Sequence, residues 1–129
     1  MNKKIIALVC LALVAAFAFA AWKNGSFSAK ESKADERGYV ASVKITVSGG
    51  NITKIDYNEA KGSSSKWQDK AYNASMKKVS GVSWIEAVQK LEDDLMKKQA
   101  TDKVDAVSGA TELSARFKAL VDQALAQAK

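Results

Sequence analysis

From Tyr39 to Val47 apolar and polar residues alternate. Tyr39, Ala41, Val43, Ile45 and Val47 share one face, and Ser42, Lys44 and Thr46 share the other. A period of two predicts a half-buried strand. Ser48-Gly49-Gly50-Asn51 follows, and glycines accept the positive φ of a tight hairpin turn. Ile52 to Glu59 returns as a second strand with Ile55 and Tyr57 on its apolar face. The broken alternation at Lys54-Ile55 predicts a bulge or a shifted register. The period then changes to that of helices. Ser65 and Gln68 form a capping-box pattern, and a helix is expected to about Val79, with Trp67, Ala71, Ser75 and Val79 on one side and Gly81 ending it. Ser83 with Glu86 repeats the capping pattern. The next helix buries Trp84, Ile85, Val88, Leu91 and Leu95, with Met96 at the margin of its apolar face, and ends near Gln99. A third apolar stripe, Leu113, Phe117, Leu120, Val121, Ala124, Leu125 and Ala128, closes the chain.

A lone hairpin is not stable in water, so its apolar face must pack on the helices. There is room for one more short strand around Val104 to Val107. The expected fold is α+β, a small antiparallel sheet or hairpin against about three helices.

The N-terminus differs in character. Lys3 and Lys4 precede an apolar run from Ile5 to Trp22, and Ala18-Phe19-Ala20 has the form of a leader-peptidase site. Residues 1–20 read equally as a signal peptide cleaved after Ala20 and as a retained membrane anchor, with Trp22 and Lys23 at the interface. Either places the domain outside the cytoplasm, secreted or tethered. Cys10 lies inside the apolar run, behind bulky Val9 and too short an upstream stretch for a lipid-attachment site, and reads as filler. Residues 21–37 read as a polar tether, with no period from Asn24 to Arg37, and 38–129 as the domain.

Composition narrows the chemistry. There is no His and a single Cys, which excludes a Ser-His-Asp triad, His-ligated metals and an internal disulfide. The net charge of +6 falls to +4 once Lys3 and Lys4 leave with a leader. The remaining lysines are scattered among acids, with Asp93/Lys97 and Asp94/Lys98 at i,i+4 spacing, so a solvated surface is expected and no nucleic acid. Difficult chemistry on such a chain would come from a borrowed cofactor.

Asp105-Ala106-Val107-Ser108-Gly109-Ala110-Thr111 is a run of small residues leading into the third helix. It puts the Thr111 hydroxyl beside a helix N-terminus, where free N–H groups favour an anion. Taken by itself, this is also an ordinary loop and helix start. The seven residues match, at every position, the motif Asp-(Gly/Ala)-x-(Ser/Thr)-Gly-Ala-Thr, and so resemble the flavinylation motif of FMN-binding domains. The resemblance implies that a flavin transferase takes FMN from FAD and joins its phosphate to Thr111. It makes Asp105, Ser108, Gly109 and Ala110 the recognition and phosphate-side residues. Family members include peripheral flavin subunits of the sodium-pumping NADH:quinone reductase and of Rnf-type complexes, and small exported flavoproteins. Many carry x-Thr-Ser or x-Ser-Ser after the Thr. This chain has Glu112-Leu113-Ser114, which removes a hydroxyl at 113, and Ser114 is not expected to affect labelling.

Trp67, Tyr72, Trp84 and Tyr57 are the aromatic candidates for a flavin ring, but at this spacing each reads more readily as packing. Lys103 is a candidate near a phosphate, though a lone loop lysine is usually just solvated. The leading expectation is an exported electron carrier with covalent FMN, served by a flavin transferase and a membrane reductase or other redox partner. It has no catalytic residues of its own and is not a complete enzyme. The alternative is an exported binding module or surface antigen of the same fold without covalent flavin. A substrate-converting flavoenzyme ranks last, because the chain offers neither a second domain nor a His.

Overall fold

The computed structural model describes residues 22–129. The leader-or-anchor segment and Cys10 lie outside the described residues. Strands β1 (Gly25–Lys30), β2 (Val40–Ser48), β3 (Asn51–Lys61) and β4 (Ser64–Ser65) form one antiparallel sheet in the order β1-β2-β3-β4. Helices α1 (Lys70–Ser80), α2 (Trp84–Lys98) and α3 (Thr111–Ala126) follow, with a 3₁₀ turn at Thr101–Lys103. The fold is α+β.

The β2–β3 hairpin forms as its pattern demands. Gly49 and Gly50 have φ of 62° and 80°, the two positive values a two-residue hairpin turn requires. Val43 faces Tyr57 and Ile45 faces Ile55. The register shifts where Thr46 faces Lys54 and Val47 faces Ile52. Thr53 is therefore the extra residue of a bulge, next to the break seen in the sequence. Tyr39, Ala41, Val43, Ile45 and Val47 are all buried. α3 packs beneath β1 and β2, and α2 beside β3. One core joins the sheet's inner face to Trp84, Val88, Leu91 and Leu95 of α2 and Phe117, Leu120 and Val121 of α3.

Three expectations are corrected. Residues 24–37 are no tether, because Gly25–Lys30 is an edge strand and Phe27 and Ala29 pack against the core. The signal there is short, two inward apolar residues among Ser and Lys. The following loop is tied down as well: Ala41 N–H donates to Glu31 Oε1 at 2.9 Å, and Asp35 Oδ1 accepts from the N–H groups of Arg37 and Tyr39. Second, α1 starts at Lys70 with Asp69 as its cap. Ser65 belongs to β4 instead, and its hydroxyl donates to Asn58 Oδ1. The stripe drawn from Trp67 to Val79 therefore fails along the helix: Ala71 and Ser75 are exposed, Val79 is 83% exposed, and the inward side carries Tyr72, Asn73 and Met76 instead. Third, no strand pairing forms around Val104 to Val107, for side chains take the backbone donors: Asp105 N–H goes to Asp94 and Val107 N–H to Ser114. The Ser83–Glu86 capping box of α2 is present, and the helix closes at Gln99.

Side chains also cover the open edge of β3. Gln99 pairs with both backbone groups of Ile52, at 2.7 and 3.1 Å. Glu92 accepts from Tyr57 N–H at 3.1 Å, and Trp67 Nε1 donates to the Tyr57 carbonyl at 2.7 Å. Unpaired strand edges invite pairing with other chains, and this one is blunted by side chains at Ile52 and Tyr57.

Candidate functional site

The motif is a turn held between two helices. Val104 and Val107 are buried and anchor the approach. Ala110 N–H returns to the Val107 carbonyl at 2.9 Å, closing a turn over Ser108 and Gly109. Gly109 has φ of +84°, a conformation a side chain would strain. Its bare Cα also allows contact with the end of α1, since a Cβ built there would stand 2.3 Å from the Ser80 carbonyl oxygen. The close approach that glycine permits here is by the chain's own backbone.

Ser114, one turn into α3, is 1% exposed. Its hydroxyl accepts from Val107 N–H at 2.9 Å and donates to the Ala110 carbonyl at 2.7 Å. It thus fastens the loop to the helix that the loop precedes, a role its sequence position does not disclose. Leu113 is buried in the core, so position 113 is a packing position and a hydroxyl there would face apolar neighbours.

At the loop's start, Asp105 Oδ2 accepts from Lys98 Nζ at 3.1 Å and its N–H donates to Asp94 Oδ2 at 2.9 Å. Of the two i,i+4 pairs read from the sequence, Asp94–Lys98 closes, at 3.1 Å. The Asp94 carboxyl is held below the ordinary carboxylate range, first by the Asp105 N–H bond.

Thr111 is the first residue of α3 and is exposed, as are Ser108 and Gly109, while Ala110 is buried. α1 and α2 each carry a side-chain cap, but Ala110 gives α3 none. The N–H groups of Thr111, Glu112 and Leu113 have no acceptor four residues back within the helix, and among the described residues no side chain supplies one. A reachable hydroxyl beside an uncapped positive helix end is chemistry that fits a phosphate ester. Exposed Glu112 is the one acid of this first turn. An open cleft of about 490 Å³ lies beside the motif's first half, between Asp105 to Ser108 and the Lys90, Asp93, Asp94 and Lys97 face of α2.

The FMN-binding domain model matches residues 38–126. The chain belongs to the FMN-binding domain family. A 15 kDa lipoprotein of Treponema pallidum is 33% identical over 114 residues, covering 87% of this chain and 81% of the relative. A crystal structure of a Clostridium perfringens protein superposes with a TM-score of 0.79 at 40% identity, over 83% of this chain and 88% of that one. A solution structure from Clostridium thermocellum gives 0.56 at 25% identity, over 81% and 91%.

This FMN-binding protein keeps most of its aromatic candidates for packing. Trp84 and Tyr57 are buried, Trp84 meets Trp67 edge-on at 5.0 Å, and Tyr57 lies 5.4 Å from Phe117. Tyr72 pairs with Tyr39 at 6.4 Å, and Lys66 Nζ lies 4.5 Å from each ring. Lys103 is exposed, and it is its carbonyl, accepting from Lys98, that joins the motif's supports.

Sequence reading missed a buried polar cluster behind these rings. Glu59 continues the inward face of β3 and is bound by Lys66 Nζ at 2.6 Å and by the Tyr57 hydroxyl at 2.7 Å. Arg116 of α3 reaches Glu59 at 3.3 Å and grips Glu31 with two bonds of 2.7 and 2.6 Å. The Glu31 carboxyl is held low by that Arg116 bond above all. The clue available in the sequence was Glu59 falling in phase with Ile55 and Tyr57 on an otherwise apolar face.

Proposed function

We propose that this FMN-binding protein carries its FMN as a phosphoester on Thr111 and works as an electron carrier outside the cytoplasm. The observation that carries the reading is the exposed Thr111 hydroxyl at the uncapped start of α3, within a complete flavinylation motif. Attachment is a transfer by a flavin transferase. The Thr111 oxygen bonds to the phosphorus on the riboflavin side of FAD, the pyrophosphate bond breaks, AMP leaves, and the hydroxyl proton is lost to the transferase. The N–H groups of Thr111, Glu112 and Leu113 would hold the phosphate oxygens, and the Val107–Ala110 turn would keep the ester clear of the core. Bound FMN supplies the redox chemistry, taking up and giving up one or two electrons. The protein's part is to hold it where a membrane reductase and a terminal acceptor can both reach it.

The leader-like N-terminus supports export. A relative named as a lipoprotein supports a membrane-anchored position. The test of attachment is co-production with an active flavin transferase, followed by a denaturing gel. The wild-type band fluoresces and the Thr111→Val band does not. A dark wild-type band favours the second reading, a binding module of this fold without covalent flavin.

A further inference from the structure

Asp105 is gripped at two atoms by the last turns of α2. Its N–H donates to Asp94 Oδ2 at 2.9 Å, and its Oδ2 accepts from Lys98 Nζ at 3.1 Å. The same ammonium donates to Asp94 Oδ2 at 3.2 Å and to the Lys103 carbonyl at 2.8 Å. Asp94 and Lys98 are four residues apart and so share one helix face. Together they fix the backbone and the side chain of the motif's first residue and the carbonyl two residues before it. The Lys98 ammonium is held above its ordinary pKa, first by its bond to Asp105 and then by that to Asp94.

The Asp105 side chain is 88% exposed. Packing gives no reason to order it, and a solvated Asp ordinarily samples several rotamers. Here one carboxylate oxygen is tied back to α2 while the group as a whole faces outward, beside the cleft. The motif's other end is pinned separately, through Ser114.

We propose that Asp94 and Lys98 are positioning residues for flavin transfer, presetting the Asp105 carboxylate and the entry of the motif loop for the flavin transferase. The inference rests on the reading of Thr111 as acceptor. Asp94 and Lys98 act through Asp105. A carboxylate already ordered spares the transferase the cost of ordering it at encounter.

The test uses the apo-protein, purified flavin transferase and FAD, with flavin incorporation followed by fluorescence on denaturing gels. Lys98→Gln and Asp94→Ala raise the KM for the apo-protein and leave kcat nearly unchanged. kcat/KM falls up to about fivefold, the scale of a part-exposed charge contact. Lys98→Arg recovers most of the loss. In an Asp105→Ala background, Lys98→Gln has much less further effect, because the carboxylate that Lys98 holds is gone and only its bond to the Lys103 carbonyl remains to be lost. Equal losses from Lys98→Gln in both backgrounds would show a general structural role and overturn the proposal. Unchanged kinetics in these variants, with wild-type protein labelled, would overturn it and leave Thr111 as the acceptor. No label on wild-type protein would overturn both.

Discussion

The α-carbon of Gly109 sits so close to Ser80 that a methyl group there would stand 2.3 Å from the Ser80 carbonyl oxygen. Real Cβ atoms do not approach backbone oxygens so closely, and the φ of +84° already disfavours a side chain. Gly109→Ala is expected to destabilise the domain by at least about 2 kcal/mol, through strain and overpacking together. Gly49 is the control. Its φ of +62° is also positive, but nothing lies within 4 Å of a Cβ built there, so Gly49→Ala costs only about 1 kcal/mol. Thermal melts of the two variants check the difference, and equal losses would contradict a packing role for Gly109.

Removing the Ser114 hydroxyl leaves the buried Val107 N–H without its acceptor. An orphaned buried donor costs about 1–3 kcal/mol. Ser114→Ala is expected to lower stability by that amount in denaturant titration. It should also raise amide exchange at Val107 more than in the body of α3. Ser114→Thr keeps an acceptor and retains more of the stability.

Glu59 and Lys66 form a charge pair with side chains only 2% and 5% exposed. Breaking such a pair on one side leaves a charge buried without a partner, at a cost of about 3–5 kcal/mol. Glu59→Ala should fall in that range in chemical unfolding. Glu59→Ala combined with Lys66→Met should recover part of the loss, because no ammonium then remains between Tyr39 and Tyr72. A single variant with wild-type stability would remove the cluster from the account of the fold.

Glu92 gives a pH signature. Burial, and then the Asp56 and Asp93 carboxylates, push its carboxyl up from 4.5 to about 7, against the opposing bond from Tyr57 N–H. An acid with a raised native pKa binds more protons folded than unfolded. Its contribution therefore favours the fold below about 4.5 and is lost as pH rises to about 7. Glu92→Gln keeps an acceptor for Tyr57 and removes the charge. At pH 8 it should be more stable than wild type by roughly 1–3 kcal/mol, discounted for partial exposure. The difference between the two should shrink on acidification towards pH 4.5. A pH-independent difference would contradict the raised pKa.

The hairpin and α2 were legible because local and tertiary signals agree there. Alternation from Tyr39 to Val47 coincides with burial, and Ser83 and Glu86 close the box their spacing implies. β1 was not legible, since two inward apolar residues, Phe27 and Ala29, are too short a pattern against Ser and Lys, and its order comes from pairing with β2. The start of α1 was misread because Ser65 and Asp69 are both credible caps, and β4 pairing claims Ser65. At the candidate site the motif residues were visible as residues. Their supports were not. Ser114 and Val107 are seven apart, Asp94 and Asp105 eleven apart, and only folding brings either pair together.

The central claim is the ester at Thr111, and intact mass spectrometry under denaturing conditions tests it most directly. Protein co-produced with an active flavin transferase should carry the added mass of one FMN less one water, and fragmentation should place that mass on Thr111. Thr111→Ala should show the bare polypeptide mass and keep its cooperative melt, because the residue is exposed and its side chain caps nothing in α3. Wild-type protein with the bare polypeptide mass, or a flavin adduct that persists in Thr111→Ala, would contradict the account.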